Sequence, residues 1–213
     1  MAPKFRLHYF DFTGRGEPIR ILLTYGGLEF DDIRIEKKDW PKVKPSLPLG
    51  QLPVLEIDGK MYPQTTAILK YLAQLVRLDG DNPLDNLKIN VAVDTLVDLQ
   101  NKIYEFTFEE DAAKKKAFGD KLYNEILPYY LSRLEENAKS NGGHLGINRL
   151  NWADVYMATE YEGYMNFFDR DVLTDYPNLQ RVIRSVLTEP RVQQWIRKRP
   201  RIASFTYDLR NHL

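Results

Sequence analysis

The chain contains no cysteine among its 213 residues. That excludes disulfides, thiolate-ligated zinc and a cysteine nucleophile, and with them disulfide reduction or thiol–disulfide exchange through a thiol of the protein itself. Net charge is also missing: 30 Lys plus Arg balance 30 Asp plus Glu. No field of one sign draws the chain to nucleic acid or an anionic membrane. Histidine is scarce, and His8, His144 and His212 show no metal-ligand spacing, so no metal is expected. No window approaches the roughly 18 consecutive apolar residues of a membrane span. Met-Ala-Pro-Lys-Phe lacks the apolar stretch of a signal peptide, so the expected location is the cytoplasm. The length allows one large domain or two small ones with a buried core, and no internal repeat or low-complexity tract is present.

What is present is a change of pattern along the chain. Phe5, Leu7 and Tyr9 alternate with Arg6 and His8, a strand with one buried face. Pro18 suits the first turn of a helix carrying Ile19, Leu22 and Leu23, and Gly26-Gly27 stops it. Phe30, Ile33 and Ile35 predict a second strand, parallel to the first through a right-handed crossover. Residues 37–48 are too proline-rich for a regular element to be expected. Val54–Ile57 and Lys60–Tyr62 flank Asp58-Gly59, the signal of a hairpin, and Pro63 stops the returning strand. Thr65 or Thr66 is expected to cap a helix from Ala67. Gln64 and Thr65 would then stand beside unpaired N–H groups, a site suited to a small carboxylate. Position alone makes Pro53 a trans edge proline, since only about 5–6% of X-Pro bonds are cis. Were the Leu52–Pro53 bond cis, Leu52 would present its N–H and C=O to an extended peptide.

This order predicts a small α/β domain with a mixed sheet, of the thioredoxin-like kind, over residues 1–78. Leu78–Leu84 reads as a linker, and 84–213 as an all-helical domain with a tail from 201. Leu87, Val91, Asp94, Leu96 and Leu99 recur at helical intervals, and 115–138 reads as one long amphipathic helix ended by Ser140–Gly143. Asn151 caps another helix with Asp154 reaching back, and Leu150 is placed to staple against Val155. Pro177 and Pro190 each open a shorter helix. Ile202, Phe205 and Leu209 share one-face spacing, so the tail is expected to be partly ordered, with Phe205 or Tyr207 able to reach a pocket.

The segments Leu-His-Tyr-Phe (7–10), Gly-Arg-Gly-Glu (14–17), Asp-Trp-Pro-Lys-Val-Lys (39–44) and Gly-Gln-Leu-Pro-Val-Leu (50–55) follow one another in a telling order. Pro-Gln-Thr (63–65), Asp-Thr-Leu-Val-Asp (94–98), Trp-Ala-Asp (152–154) and Lys-Arg-Pro (198–200) continue it. Over nearly its whole length the chain resembles a cytosolic glutathione transferase, most closely the sigma class. The resemblance implies a cis bond before Pro53, a homodimer, glutathione as co-substrate, and detoxification by transfer to a small hydrophobic electrophile. Sigma relatives also isomerise prostaglandin H2 or reduce lipid hydroperoxides.

It further implies roles for particular residues. Gln64 and Thr65 would take the γ-glutamyl carboxylate, and Leu52, beside Gly50, Gln51 and Pro53, would pair with the cysteinyl unit as a strand addition in miniature. Trp40 and Lys44 would hold the glycyl carboxylate, and Asp98 would reach the glutathione amine of a second subunit. Tyr9 would donate to the sulfur, with Arg15 adding positive potential. Phe10, Tyr104, Phe108 and Tyr156 would line the electrophile pocket. Gln51 stands where many sigma members carry lysine, so it can hydrogen-bond but adds no charge. Taken singly, each residue has a plainer role open to it. Thr65 could be a cap, Trp40 a packing residue, Lys44 and Asp98 solvated charges, Tyr9 a core tyrosine, and Arg15 an ion partner of Glu17. A crystallin-like structural protein or a carrier of hydrophobic ligands is the alternative to an enzyme.

Overall fold

The structure, a computed structural model, describes residues 3–202 and 206–212. Its first half is built around β1 (Phe5–Phe10), flanked by β2 (Phe30–Ile35) and by β3 (Val54–Ile57), with β4 (Lys60–Pro63) outside β3. β1 and β2 run parallel, Phe5 opposite Phe30 and Phe10 opposite Ile35. β3 and β4 are antiparallel additions, which makes the sheet mixed as the order of elements predicts. Asp58 and Gly59 turn the hairpin with φ of 50° and 82°, the left-handed pair that a two-residue turn requires.

Alternation along β1 divides the sheet. Phe5, Leu7 and Tyr9 are buried and join Ile19, Leu22 and Leu23 of α1 (Glu17–Tyr25) and Ile68, Leu69 and Leu72 of α3 (Thr65–Val76) in one core. Arg6 and His8 face the other way, where Glu56 binds both, at 3.3 Å and 2.8 Å.

Two expectations for this half are corrected. Residues 37–48 contain one-turn helices: 3-10 turns at Lys37–Asp39 and Lys44–Ser46, with α2 (Trp40–Val43) between them. Pro41 and Pro45 sit in the opening positions of their turns, where a missing N–H breaks no helical bond, so the prolines start helix rather than prevent it. α3 begins at Thr65, not Ala67, and no side chain caps it. The N-cap residue is Gln64, held at φ +81°.

The second half is helical. α4 (Pro83–Thr107) is capped by Asn82, whose side chain accepts from the N–H groups of Leu84 and Asp85 at 3.0 Å each. It buries Ile89, Val93, Leu96, Leu99 and Ile103, whereas Leu87 and Val91 stay 57% and 56% exposed with Asp94 also outside. The Leu87–Val91–Asp94 stripe is thus the outer face of the helix. The single helix expected over 115–138 is α5 (Ala112–Lys121), a π-helical turn at Leu122–Ile126 and α6 (Leu127–Ser140). Pro128 accounts for the interruption. It cannot donate to the Asn124 carbonyl one turn back, and its ring crowds that turn.

α7 (Trp152–Phe168) is the axis of this half, buried along nearly its whole length. Asn151 and Asp154 form the expected capping box. The Asp154 carboxylate also accepts from Leu145 N at 2.7 Å and meets His144 Nδ1 at 2.8 Å, pinning the preceding loop. α8 (Pro177–Leu187) and α9 (Pro190–Lys198) open at the expected prolines.

Tyr207 and Leu209 pack on α7. Tyr207 N donates to Asn166 at 3.0 Å, Leu209 N to Glu162 at 3.0 Å, and the Tyr207 ring meets Tyr161 edge-on. Phe205 lies outside the described residues. No helix among the described residues is long and apolar enough to cross a membrane.

Candidate active site

Tyr9 ends the buried face of β1, and the loop after the strand wraps its ring. A Cβ on Gly16 would stand 2.4 Å from the Tyr9 ring, and one on Gly14 would stand 2.7 Å from its hydroxyl. Both positions therefore need glycine for close approach, and Gly14 also takes φ +35°. The Gly-Arg-Gly spacing thus encloses the phenol and places Arg15 at its edge.

The polarity of the phenol follows from its partners. The Arg15 backbone N–H donates to the Tyr9 oxygen at 3.0 Å. That bond uses an oxygen lone pair and leaves the hydroxyl proton for another acceptor. Burial raises the Tyr9 pKa, against lowering by the Arg15 N–H and by the Arg20 guanidinium 5.7 Å from the ring centre. Tyr9 is therefore a neutral hydrogen-bond donor at physiological pH.

Arg15 is held by α4. Its Nε donates to Gln100 Oε1 at 3.2 Å, its Nη2 to Asn101 Oδ1 at 3.1 Å, and its guanidinium lies 5.0 Å from the Tyr104 ring centre. The ion pair with Glu17 left open by the sequence does not form. Glu17 turns inward to Arg20 at 3.1 Å and Arg199 at 2.7 Å.

The remaining expected residues fall into groups. Trp40 packs edge-on against Phe10 at 5.2 Å, and the Lys44 stem would touch a Cβ on Gly50 at 3.4 Å. Lys44 and Gln51 are exposed, Leu52 is half-buried, and the Leu52–Pro53 bond is cis, as the resemblance implied. Gln64 is exposed at a positive φ that costs a side-chain-bearing residue on the order of 1 kcal/mol or more. It stands at the α3 N-terminus, whose first turn no side chain caps. Asp98 lies exposed on the outer face of α4, in helical series with Leu84, Leu87, Val91 and Asp94.

The aromatic residues divide. Phe10 and Tyr104 are half-buried, and Phe108 is 76% exposed with its ring 6.1 Å from Tyr104. Tyr156 is 1% exposed and donates to Gln100 Oε1 at 3.1 Å, so it braces the wall from behind. Tyr207 packs on the α7 face carrying Glu162 and Asn166, whereas Glu160 and Gly163 line a small cavity with Gly14 and Tyr104. A broad groove between β2 and α9, lined by Phe30, Asp31, Arg191 and Trp195, contains none of these residues.

Sequence reasoning missed the buried polar residues that hold this arrangement. Arg20 is wholly buried and ties the carbonyls of Phe10 and Phe12 to Glu17 and Asp32. Its signal was an arginine inside Pro-Ile-Arg-Ile-Leu-Leu, where a solvated charge has no place. Glu160 accepts from Gln100 Nε2 at 2.6 Å, and burial pushes its carboxyl up to about 7 against the Gln100 hydrogen bond and Arg15.

Comparison with known proteins agrees with this geometry. Residues 5–74 match the model of the glutathione S-transferase N-terminal domain, and 97–199 that of the C-terminal domain. A glutathione S-transferase of Anopheles gambiae is 43% identical over 93% of this chain and 98% of its own. Human hematopoietic prostaglandin D synthase is 33% identical over 93% and 98%. The solved prostaglandin synthase D of Nilaparvata lugens superposes with a TM-score of 0.90 at 37% identity, covering 93% of this chain and all of that one. With a thioredoxin-like domain ahead of a helical one and both family models matched in order, the chain belongs to the glutathione S-transferase family.

Proposed function

We propose that the protein binds glutathione beside Tyr9 and transfers its sulfur, as thiolate, to small apolar electrophiles. One observation carries the reading: the Tyr9 oxygen already accepts from Arg15 N–H, so its proton is available to a sulfur at the cleft. A free thiol with pKa about 8.5 is only a few per cent ionised at pH 7. A hydrogen bond to the charged form is worth about 1.5–3 kcal/mol, or about one to two pKa units. No general base is then needed.

Supporting roles follow the same chemistry. The uncapped first turn of α3, with Gln64 and Thr65, suits the γ-glutamyl carboxylate. The Leu52 main chain, with Gly50, Gln51 and Pro53 about it, suits the cysteinyl peptide unit. Trp40 and Lys44 suit the glycyl carboxylate. Phe10, Tyr104 and Phe108 form the apolar side of the electrophile site, with Tyr156 behind them.

The proposed division is 1–78 for glutathione and 84–213 for the electrophile, the latter with a C-terminal tail from 201. We assign the chain to the sigma class and to the cytoplasm, as a homodimer. The dimer is supported by the exposed series Leu84, Leu87 and Val91, which would place Asp98 against a second subunit. The prostaglandin synthases among its relatives support isomerisation of prostaglandin H2 as a further reaction.

The test is turnover of an aryl halide with glutathione. Tyr9→Phe is expected to lower the rate tenfold or more while glutathione binding persists, matching the loss of one charge-assisted hydrogen bond. Absence of wild-type turnover would instead favour the structural or carrier alternative.

A further inference from the structure

Behind Arg15 stand two buried side chains that the sulfur chemistry does not itself use. Gln100 is 2% exposed and Glu160 is 7% exposed. The Gln100 amide has oxygen at one end and NH2 at the other on nearly the same shape, so either could face Arg15. Arg15 can only donate and needs the oxygen. The Tyr156 hydroxyl, 3.1 Å away, does not choose between them, because a hydroxyl can give or accept.

Glu160 holds the other end of the amide and so enforces the same choice. Its Oε1 accepts from Gln100 Nε2 at 2.6 Å, which turns Gln100 Oε1 toward Arg15 Nε at 3.2 Å. The flipped amide would set NH2 against guanidinium and oxygen against oxygen, two repulsions strengthened by the low local dielectric. Asn101 and Tyr104 hold the outer side of the guanidinium, whereas Gln100 is its buried anchor.

We propose that Glu160 is a positioning residue for the Tyr9–Arg15 pair, fixing Arg15 by fixing the orientation of Gln100. The proposal rests on the thiolate reading above and deepens it. The groups around Glu160 are Gln100 and Tyr104 of α4, Tyr156 and Tyr164 of α7, and Tyr9 and Arg15 from the first strand and its loop. Arg15 is the only cation among them. A protonated carboxyl still offers its carbonyl oxygen to Gln100, so the orientation survives a change in its charge.

The test uses the full chain, reading steady-state kinetics with an aryl halide and the ultraviolet titration of enzyme-bound glutathione. Glu160→Leu is expected to lower kcat about tenfold and raise the bound-thiol pKa by about one unit, with the glutathione KM moving less than about threefold. Glu160→Gln keeps an acceptor oxygen and should return kcat to within about threefold of wild type. Gln100→Leu should reproduce the loss, and the double variant should lose no more than either single change. Wild-type kcat and thiol pKa in Glu160→Leu, or additive losses in the double variant, would overturn the proposal. Should Glu160→Leu not fold, Gln100→Leu decides alone, and an unchanged thiol pKa there overturns it. A wild-type enzyme whose bound thiol ionises as in water defeats the thiolate reading itself, and is told apart because no variant is needed to see it.

Discussion

Glu17 and Glu160 are both buried glutamates within reach of arginine, yet their carboxyls move in opposite directions. Burial alone would push both up. For Glu17 that effect is outweighed by Arg199 and then Arg20, with Trp195 Nε1 donating as well, and its pKa falls to about 2. Glu160 has one amide donor and a more distant Arg15, and its pKa rises to about 7. The difference lies in the partners, not in the depth.

The two neighbourhoods differ in purpose accordingly. Arg199, just after α9, pairs with Glu17 of α1 and Glu162 of α7, with the Leu209 N–H and Asp208 attached. It welds the thioredoxin-like half to the helical half. The Glu160 neighbourhood is lean in charge and lies beside Tyr9 and Arg15, where the carboxyl orients an amide and holds no ion pair.

The sharpest way to break this comparison is to remove the shared cation of the weld. Arg199→Met should cost about 3–5 kcal/mol in urea denaturation, because Glu17 and Glu162 would remain buried without it. A loss under about 1 kcal/mol would mean that the cluster does not join the halves.

Acid titration is the next largest effect. The folded pKa of Glu17 lies below the unfolded value of 4.5, so its stabilisation is present above 4.5 and is lost as pH falls toward 2. The loss should be about 3 kcal/mol, by linkage. Glu17→Gln should flatten that limb of the stability curve, measured by thermal denaturation across pH. An unchanged acid limb in the variant would place the acid sensitivity elsewhere.

Glu160 should show the opposite sign. Its folded pKa lies above 4.5, so the native state holds the extra proton, and stability falls as pH rises from 4.5 through about 7. The effect should be no more than about 3 kcal/mol and smaller than that of Glu17, since Glu160 is 7% exposed and Glu17 1%. Glu160→Gln should remove this decline and be the more stable protein at pH 8. A variant that declines like the wild type would show that the decline does not come from Glu160.

The order of elements is legible in the chain before any fold is known. Alternation in β1, the Asp58-Gly59 turn, Pro18, Pro177 and Pro190 at helix starts and the Asn151–Asp154 box are local signals, legible because the physics that sets them acts within a few residues. Where local signals misled, the cause was also specific. Pro41 and Pro45 open turns where the proline content predicts none, and Gln64 takes the cap position expected of a threonine. Pro128 broke a helix that periodicity read as continuous.

Which polar residues are buried together depends instead on the folded arrangement. Arg15 and Gln100 are 85 residues apart, Gln100 and Glu160 are 60 apart, and Glu17 and Arg199 are 182 apart. No local pattern foretells such meetings, because the energy of a buried charge depends on the partner that folding brings to it and not on its neighbours in the chain.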